Sequence, residues 1–512
     1  MTRDGGGASG LASAEHPLLY QVNTRILLAE LARRLGRAAT LDDLPDALLD
    51  ELRERGFHWL WPLGMWRTGE AGVAVSRRDP RLRAGLLEQL PDLSESDITG
   101  SPFAIRAYEA RSEWGGPAAL ARLRARLARR DLRLLLDFVP NHIAPDHPWI
   151  DEHPEYLMAG TEADLAREPL NYVRVLSRGQ ERVFAYGRDP YFAGWPDTLQ
   201  LNYAHAGLQH AMIAQLLQIA GQCDGVRCDM AMLLLPDVFE RTWGERAIPS
   251  DGSEPVRESF WAEAIRRVRG NHAKFVWIAE AYWDLEWRLQ REGFDFTYDK
   301  RLYDRLRSGA GAEVRAHLLA DAEYQRRSVR FLENHDEPRA AEVFPLEVHR
   351  AAAVVAYLVP GLRLFHEGQL QGRRSHVSMH VGRRREEAPV LAIADFYMRL
   401  LATLRRRELH EGQFVLHGCR PVWDGNASSG AFVAFSWVYE SSRLLVTVNL
   451  STGSAQCYVD LGWSDLAEQV ILLEDVLSDT RYERSGQELS TRGLYLDLPA
   501  WSYHVFDCRT TA

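Results

Sequence analysis

LRLLLDFVPNH (132–142) is an almost wholly apolar run that ends in Asp137, Asn141 and His142. A segment with no polar face reads as a strand buried on both sides, as strands are in parallel sheets. The stretch before it, Ala118 to Arg130, is an Arg/Leu/Ala helix. The same helix-then-apolar-strand alternation runs outward in both directions. Upstream it gives LLYQVNTR (18–25) and HWLWPLGMW (58–66) as strands, with Asp42 to Arg55 as a helix between them. Downstream it gives CDGVRCDM (223–230), KFVWIAEAYW (274–283), FDFTYDK (294–300), SVRFLENHDEPR (328–339) and GLRLFHEG (361–368). Eight such strands, most separated by helices, predict an α/β fold built on a (β/α)8 TIM barrel over residues 17–400.

Two regions break the alternation. Residues 143–205 are rich in Pro, Asp and aromatics and weakly periodic, which reads as an insertion after the third strand. From 410 to 512 the helical period is gone. FVAFSWV, RLLVTVNL, QCYVDL, GLYLDL and SYHVFDC read as strands of a C-terminal antiparallel β-sandwich. Residues 1–16 are a Gly-rich stretch that reads as a flexible leader.

Bulk properties narrow the function classes. The 512 residues carry 71 acidic and 61 basic side chains, for a net charge of -10 spread along the chain. That balance argues against nucleic acid or an anionic membrane as partner. No apolar run is long enough to span a bilayer; the longest, Ala351 to Val359, stops at Pro360. The leader has no apolar core of a secretory signal, and the five cysteines are odd in number and scattered, so a cytoplasmic location is expected. Cys223 and Cys228 read as small core residues.

The strand ends carry the chemistry. In this architecture active sites gather where strands end, and four strands close on polar groups: Asp137 with Asn141 and His142, Arg227 with Asp229, Glu280, and His335 with Asp336. They come from different strands yet can meet at one rim. Three carboxylates with Arg and His suit glycosidic bond cleavage, in which one carboxylate attacks the anomeric carbon and another gives a proton to the leaving oxygen. Crowding raises the proton affinity of one of them, which allows that division of labour near neutral pH. Taken singly, each has a structural reading too: Asp229 and Arg227 as a buried ion pair, His142 and His335 as loop caps.

DFVPNH, GVRCDM, AEAYW and ENHD, in this order and each closing a strand, resemble the four short signature regions of the α-amylase family, glycoside hydrolase family 13. The resemblance implies Asp229 as nucleophile, Glu280 as general acid/base and Asp336 as the third carboxylate. It implies Arg227 as the arginine that keeps the nucleophile ionised, and His142 and His335 as hydrogen-bond partners of the glucose being cleaved. Asp137 becomes a supporting carboxylate. SPFAIRAY (101–108) resembles the segment that supplies an aromatic platform, which makes Phe103 a candidate. The insertion corresponds to the family's domain B and the C-terminal unit to its domain C.

Two departures stand out. Where many α-amylases carry a Lys-His pair after the nucleophile, this chain has Met230, Ala231, Met232 and Leu233, so a more apolar acceptor side is expected. Asn141 matches a frequent calcium ligand, but its domain B partners are not legible; no cofactor is implied and calcium stays open. In YFAGWPDTLQLNY (191–203) the aromatics read as the insertion's own core, with Trp195 and Tyr203 as the alternatives for stacking on sugar. The expected reaction is hydrolysis of an α-linked glucose oligosaccharide or glucoside through a covalent intermediate. Transfer to a sugar acceptor by the same residues is the second reading, and a catalytically silent glucan-binding scaffold the third.

Overall fold

The computed structural model describes residues 15–249, 251–256, 258–309 and 311–510. Most of the expected leader, residues 1–14, lies outside the described residues. The chain is already anchored at His16, which is buried: Gly361 N donates to its Nδ1 (3.1 Å) and its ring meets Trp437 edge-on (5.1 Å).

All eight expected strands form and close one parallel barrel. They are β1 (Leu18–Asn23), β2 (Trp59–Leu63), β3 (Arg133–Phe138), β4 (Gly225–Cys228), β5 (Val276–Ala279), β6 (Phe296–Tyr298), β7 (Ser328–Arg330) and β8 (Leu362–His366), with β8 pairing back onto β1. Their apolar runs fill the barrel and its helix-facing side, so nearly every residue in them is buried. Helices such as Gly116–Ala128, Ala206–Gln222, Phe260–Asn271 and Leu346–Leu358 follow the strands. At the start of β4 a side chain on Gly225 would strike Val276 O at 2.6 Å, so glycine is what lets β4 approach β5.

HWLWPLGMW is not one strand. β2 stops at Gly64, whose φ of +77° turns the chain, and Trp66–Thr68 leaves to pair antiparallel with Ile105–Ala110. Between these two strands lie helices Glu70–Arg78 and Pro80–Gln89, which the apolar pattern did not mark. The insertion after β3 is held by a two-stranded hairpin (Tyr172–Ser177 with Gln180–Ala185) and by His142–Ile143 pairing with Leu199–Gln200.

The C-terminal unit is two antiparallel sheets, one of six strands and one of three (Cys419–Arg420, Ala455–Val459, Leu494–Leu498). The five strands read from sequence are present. Gln413–Leu416, Cys419–Arg420, Val470–Asp475 and Arg481–Ser485 join them, of which RYERS lacks apolar alternation because it is an exposed edge. In strand Phe432–Tyr439 the pleat divides the burial. Phe432 and Ala434 pack between the sheets, while Val433, Phe435 and Trp437 pack towards the barrel. Trp437 is 1 % exposed and donates through Nε1 to Leu358 O (2.7 Å) at the end of a barrel helix. Trp437→Ala should therefore lower unfolding free energy by about 3–5 kcal/mol. Denaturant unfolding checks this, and a loss below about 1 kcal/mol would contradict the docking role given to Trp437.

Candidate active site

Strand register starts the site. Arg227 on β4 lies opposite Asp137 on β3 and Ile278 on β5, so its guanidinium rises inside the barrel, wholly buried among the rings of Phe103, Trp61 and Tyr298 at 5.4–5.7 Å. A cation held there without water needs anionic partners. It has three. Nη1 donates to Asp229 Oδ1 at 2.5 Å, Nη2 lies 2.8 Å from Glu280 Oε2, and the same Nη2 is 4.0 Å from Asp336 Oδ2.

Local backbone chemistry fixes each carboxylate. Asp229 N donates to Phe138 O (2.8 Å), extending the sheet by one residue. Met230 then takes a left-handed conformation (φ +43°), and this turn aims its N–H at Glu280 Oε2, 2.7 Å away. Tyr282, two residues on, donates its hydroxyl to Glu280 Oε1 at 2.8 Å. After β7, Asn334 Oδ1 accepts from Asp336 N and Glu337 N (2.8 and 2.9 Å), while buried Glu333 binds Arg339 and Ala340 N, which locks the loop that presents Asp336. Gln21 of β1 donates to His335 Nδ1 (2.8 Å). That leaves the ring proton on Nε2, 3.1 Å from Asp336 Oδ2.

The electrostatics separate the groups. Burial pushes the Glu280 carboxyl up to about 7 against the pull of Arg227, and the neighbouring Asp229 and Asp336 charges add to the rise. Burial also raises Asp229, but the charge and hydrogen bond of Arg227 oppose it. Burial holds His142 and His335 down at about 3, so both are neutral donors or acceptors near neutral pH.

Asp229, Glu280 and Asp336 line a pocket of about 370 Å³ together with Phe103, His142, Trp195, Asp197, Tyr282 and Met230. Asp229 and Glu280 are buried at its floor, whereas the Asp336 side chain is 32 % exposed. The family model for the α-amylase catalytic domain matches residues 103–391. The chain belongs to the α-amylase family.

Among relatives of known name, this α-amylase family chain is 26% identical over 275 residues to the α-amylase MalA of Haloarcula japonica. The match covers 52% of this chain and 36% of MalA. It is 26% identical over 279 residues to an α-1,4-glucan:maltose-1-phosphate maltosyltransferase of Burkholderia pseudomallei, over 51% of this chain and 19% of that one. The matches thus span about a third and a fifth of these curated relatives. Two solved structures share the fold nearly end to end. The maltogenic α-amylase AmyB of Thermotoga neapolitana has a TM-score of 0.66 at 17% identity, covering 96% of this chain and 98% of AmyB. An α-amylase of Lactobacillus plantarum has a TM-score of 0.63 at 20% identity, covering 97% and 99%.

Of the residues marked from sequence, Asp229, Glu280, Asp336, Arg227, His142, His335 and Phe103 come together here. Arg227 and His335 lie just beneath the lining residues, and Asp137 stands behind them. Its carboxylate accepts from Trp61 Nε1 and Gly64 N (both 3.0 Å), tying β3 to the end of β2, and burial pushes it up to about 6. Of the apolar residues after the nucleophile only Met230 reaches the pocket; Ala231, Met232 and Leu233 are buried core, so the acceptor side owes less to that run than expected. The aromatic stretch divides. Tyr203 is core, against Phe239 and Phe260, but Trp195 lines the pocket with its ring 5.2 Å from His142, a correction to the reading of both as core. Asn141 Oδ1 accepts from Gln200 Nε2 (3.0 Å), which fastens the insertion to the end of β3. Among the described residues no cluster of three or more His, Cys, Asp or Glu side chains is arranged to hold a metal ion.

Tyr282, Gln21 and Asp197 were not singled out from sequence. Tyr282 sits in the AEAYW motif, and a residue two beyond Glu280 is the only signal that was available for it. The Gln21 contact joins positions 314 apart and has no local signature. Among the described residues no helix is long and apolar enough to cross a membrane.

Proposed function

We propose that the protein cleaves α-glucosidic bonds of a glucose oligosaccharide or glucoside with retention of configuration. Asp229 attacks the anomeric carbon while Glu280 protonates the departing oxygen. Glu280 then deprotonates the incoming acceptor, which displaces Asp229. Asp336 grips sugar hydroxyls and stabilises positive charge developing at the anomeric carbon, and His142, His335 and Phe103 hold the ring. The observation that carries this is the shared guanidinium: Asp229 and Glu280 bind neighbouring nitrogens of Arg227, at 2.5 and 2.8 Å. So short a tether favours the roughly 5–5.5 Å spacing of retaining pairs over the roughly 6.5–9.5 Å of inverting ones.

Water as acceptor makes the protein a hydrolase. Transfer to a sugar is the second reading, favoured by Met230 and Tyr282, which flank Glu280 where the acceptor must approach. Turnover of a panel of α-glucosides, with and without a sugar acceptor, separates the two. Free glucose released in proportion to bonds cleaved supports hydrolysis, and transfer products in its place support the second reading. A β-configured first product would contradict retention. A cytoplasmic setting is part of the reading and rests on five free cysteines.

The proton on Glu280 gives a pH expectation. With its carboxyl up at about 7, the acid is present below that pH, and kcat/KM should fall about tenfold per unit above it. Tyr282 donates to the ionised carboxylate and so favours proton loss. Tyr282→Phe should move the alkaline limb upward by about half a unit to one unit, which a pH–rate profile measures. A limb that stays in place or moves down would contradict the contact.

A further inference from the structure

One carboxylate in the catalytic pocket is not used by the chemistry above. Asp197, on the segment returning from the insertion to the barrel, is 8 % exposed, and its Oδ2 is buried with no hydrogen-bond partner. No cation or side-chain donor among the described residues binds the group, yet it lines the pocket beside Trp195 and Thr198. A carboxylate left this way is costly and calls for a ligand. His380 lines the same pocket, its Nδ1 engaged by Ser76 Oγ at 3.1 Å. Both lie against the helix that follows β2, where a side chain on Gly72 would meet Asp197 Cβ at 3.7 Å and Ser76 holds His380, whereas Glu280 follows β5, three strands round the barrel, so the two stand at the end of the pocket away from Glu280.

That end is closed. Thr99 N donates to His380 O (2.8 Å), Gly382 N donates to Asp97 O (2.9 Å), and Ile98 pairs antiparallel with Val381. Ile98 and Val381 pack with Leu86 and Leu90 in a small separate core, and Arg383 binds Asp97 at 2.7 Å. The helices between β2 and β3 therefore buttress the wall that Ser101, Met379 and His380 give the pocket at that end. A glucan interior would have to thread through it, because each interior residue is linked onward through the oxygen that is a free hydroxyl only at the non-reducing end.

We propose that Asp197 binds that terminal hydroxyl, which makes the pocket a blind, exo-acting site and Asp197 a specificity-determining residue. This rests on the glycosidase reading above. The first test uses the unaltered protein on maltooligosaccharides whose non-reducing 4-hydroxyl is free or methylated. The methylated chains should be cleaved with kcat/KM lower by about tenfold or more, and Asp197→Ala should shrink that ratio towards one. Equal cleavage of free and methylated chains would overturn the proposal while leaving the glycosidase reading in place. The second test needs no turnover. In the Asp229→Asn background, maltotriose binding followed by calorimetry should weaken about tenfold on Asp197→Ala and less on Asp197→Asn, which keeps an acceptor oxygen. Unchanged binding would overturn it, and weakened binding without any turnover by the unaltered protein would support Asp197 and count against the glycosidase reading instead.

Discussion

Asp229→Asn is expected to lower kcat by about ten-thousandfold or more on any α-glucoside the protein turns over, with little change in folding. The amide is isosteric with the carboxylate, and its oxygen can still accept from Arg227 Nη1, so the floor of the pocket keeps its shape. What is lost is the negative charge that attacks the anomeric carbon and the covalent intermediate that follows. The change also frees Arg227 to neutralise Glu280 more fully, which favours proton loss from the acid and compounds the defect. Steady-state kinetics beside thermal unfolding check both halves. Residual activity within about tenfold of the unaltered enzyme would remove Asp229 from its role.

Arg227→Met should damage activity and stability together. The side chain is fully buried, and three carboxylates share it. Removing one partner of a buried ionic cluster leaves uncompensated charge and costs about 3–5 kcal/mol. Without the guanidinium the buried Asp229 and Glu280 carboxyls rise further above their unfolded values, so the folded state binds more protons than the unfolded one. Stability then falls as pH rises. The variant should therefore be closest to the unaltered protein near pH 5 and furthest from it near pH 8, and a buried nucleophile that stays protonated should be inactive throughout. Denaturant melts across that range measure the effect; a pH-independent loss would mean that the guanidinium acts only by filling space.

Fold and site were legible to different depths. The eight barrel strands showed themselves because strands buried on both faces are almost wholly apolar and end abruptly in polar residues at the rim. For the same reason Asp137, Arg227, Asp229, Glu280, His335 and Asp336 stood out where hydrophobic runs stop. The chain between β2 and β3 did not show itself. GEAGVAVSRRDPRLRAGLLEQL (69–90) buries little, chiefly Gly72, Ser76, Leu86 and Leu90, so its helices leave a faint apolar stripe. Yet that segment backs the pocket, through Ser76 on His380 and Gly72 against Asp197. Asp197 was hidden for a related reason: an acidic residue in a Pro- and Gly-containing loop reads as solvated until the fold buries it. Trp195 and Tyr203 shared one aromatic stretch, and only tertiary packing sends one to the pocket and the other to the core. Met230 was read for its side chain, whereas its larger part is played by a left-handed backbone that delivers an N–H to Glu280.

Asp229 is expected to form a covalent bond to sugar that Glu280→Gln traps. An α-glucosyl fluoride has a leaving group that needs no acid, so the first displacement should proceed in this variant while the second, deprived of its base, stalls. Mass spectrometry of the quenched and proteolysed protein should then find glucose attached to the peptide that contains Asp229. Fluoride release without any such adduct, or glucose attached to Asp336 or elsewhere, would remove Asp229 from the nucleophile's role.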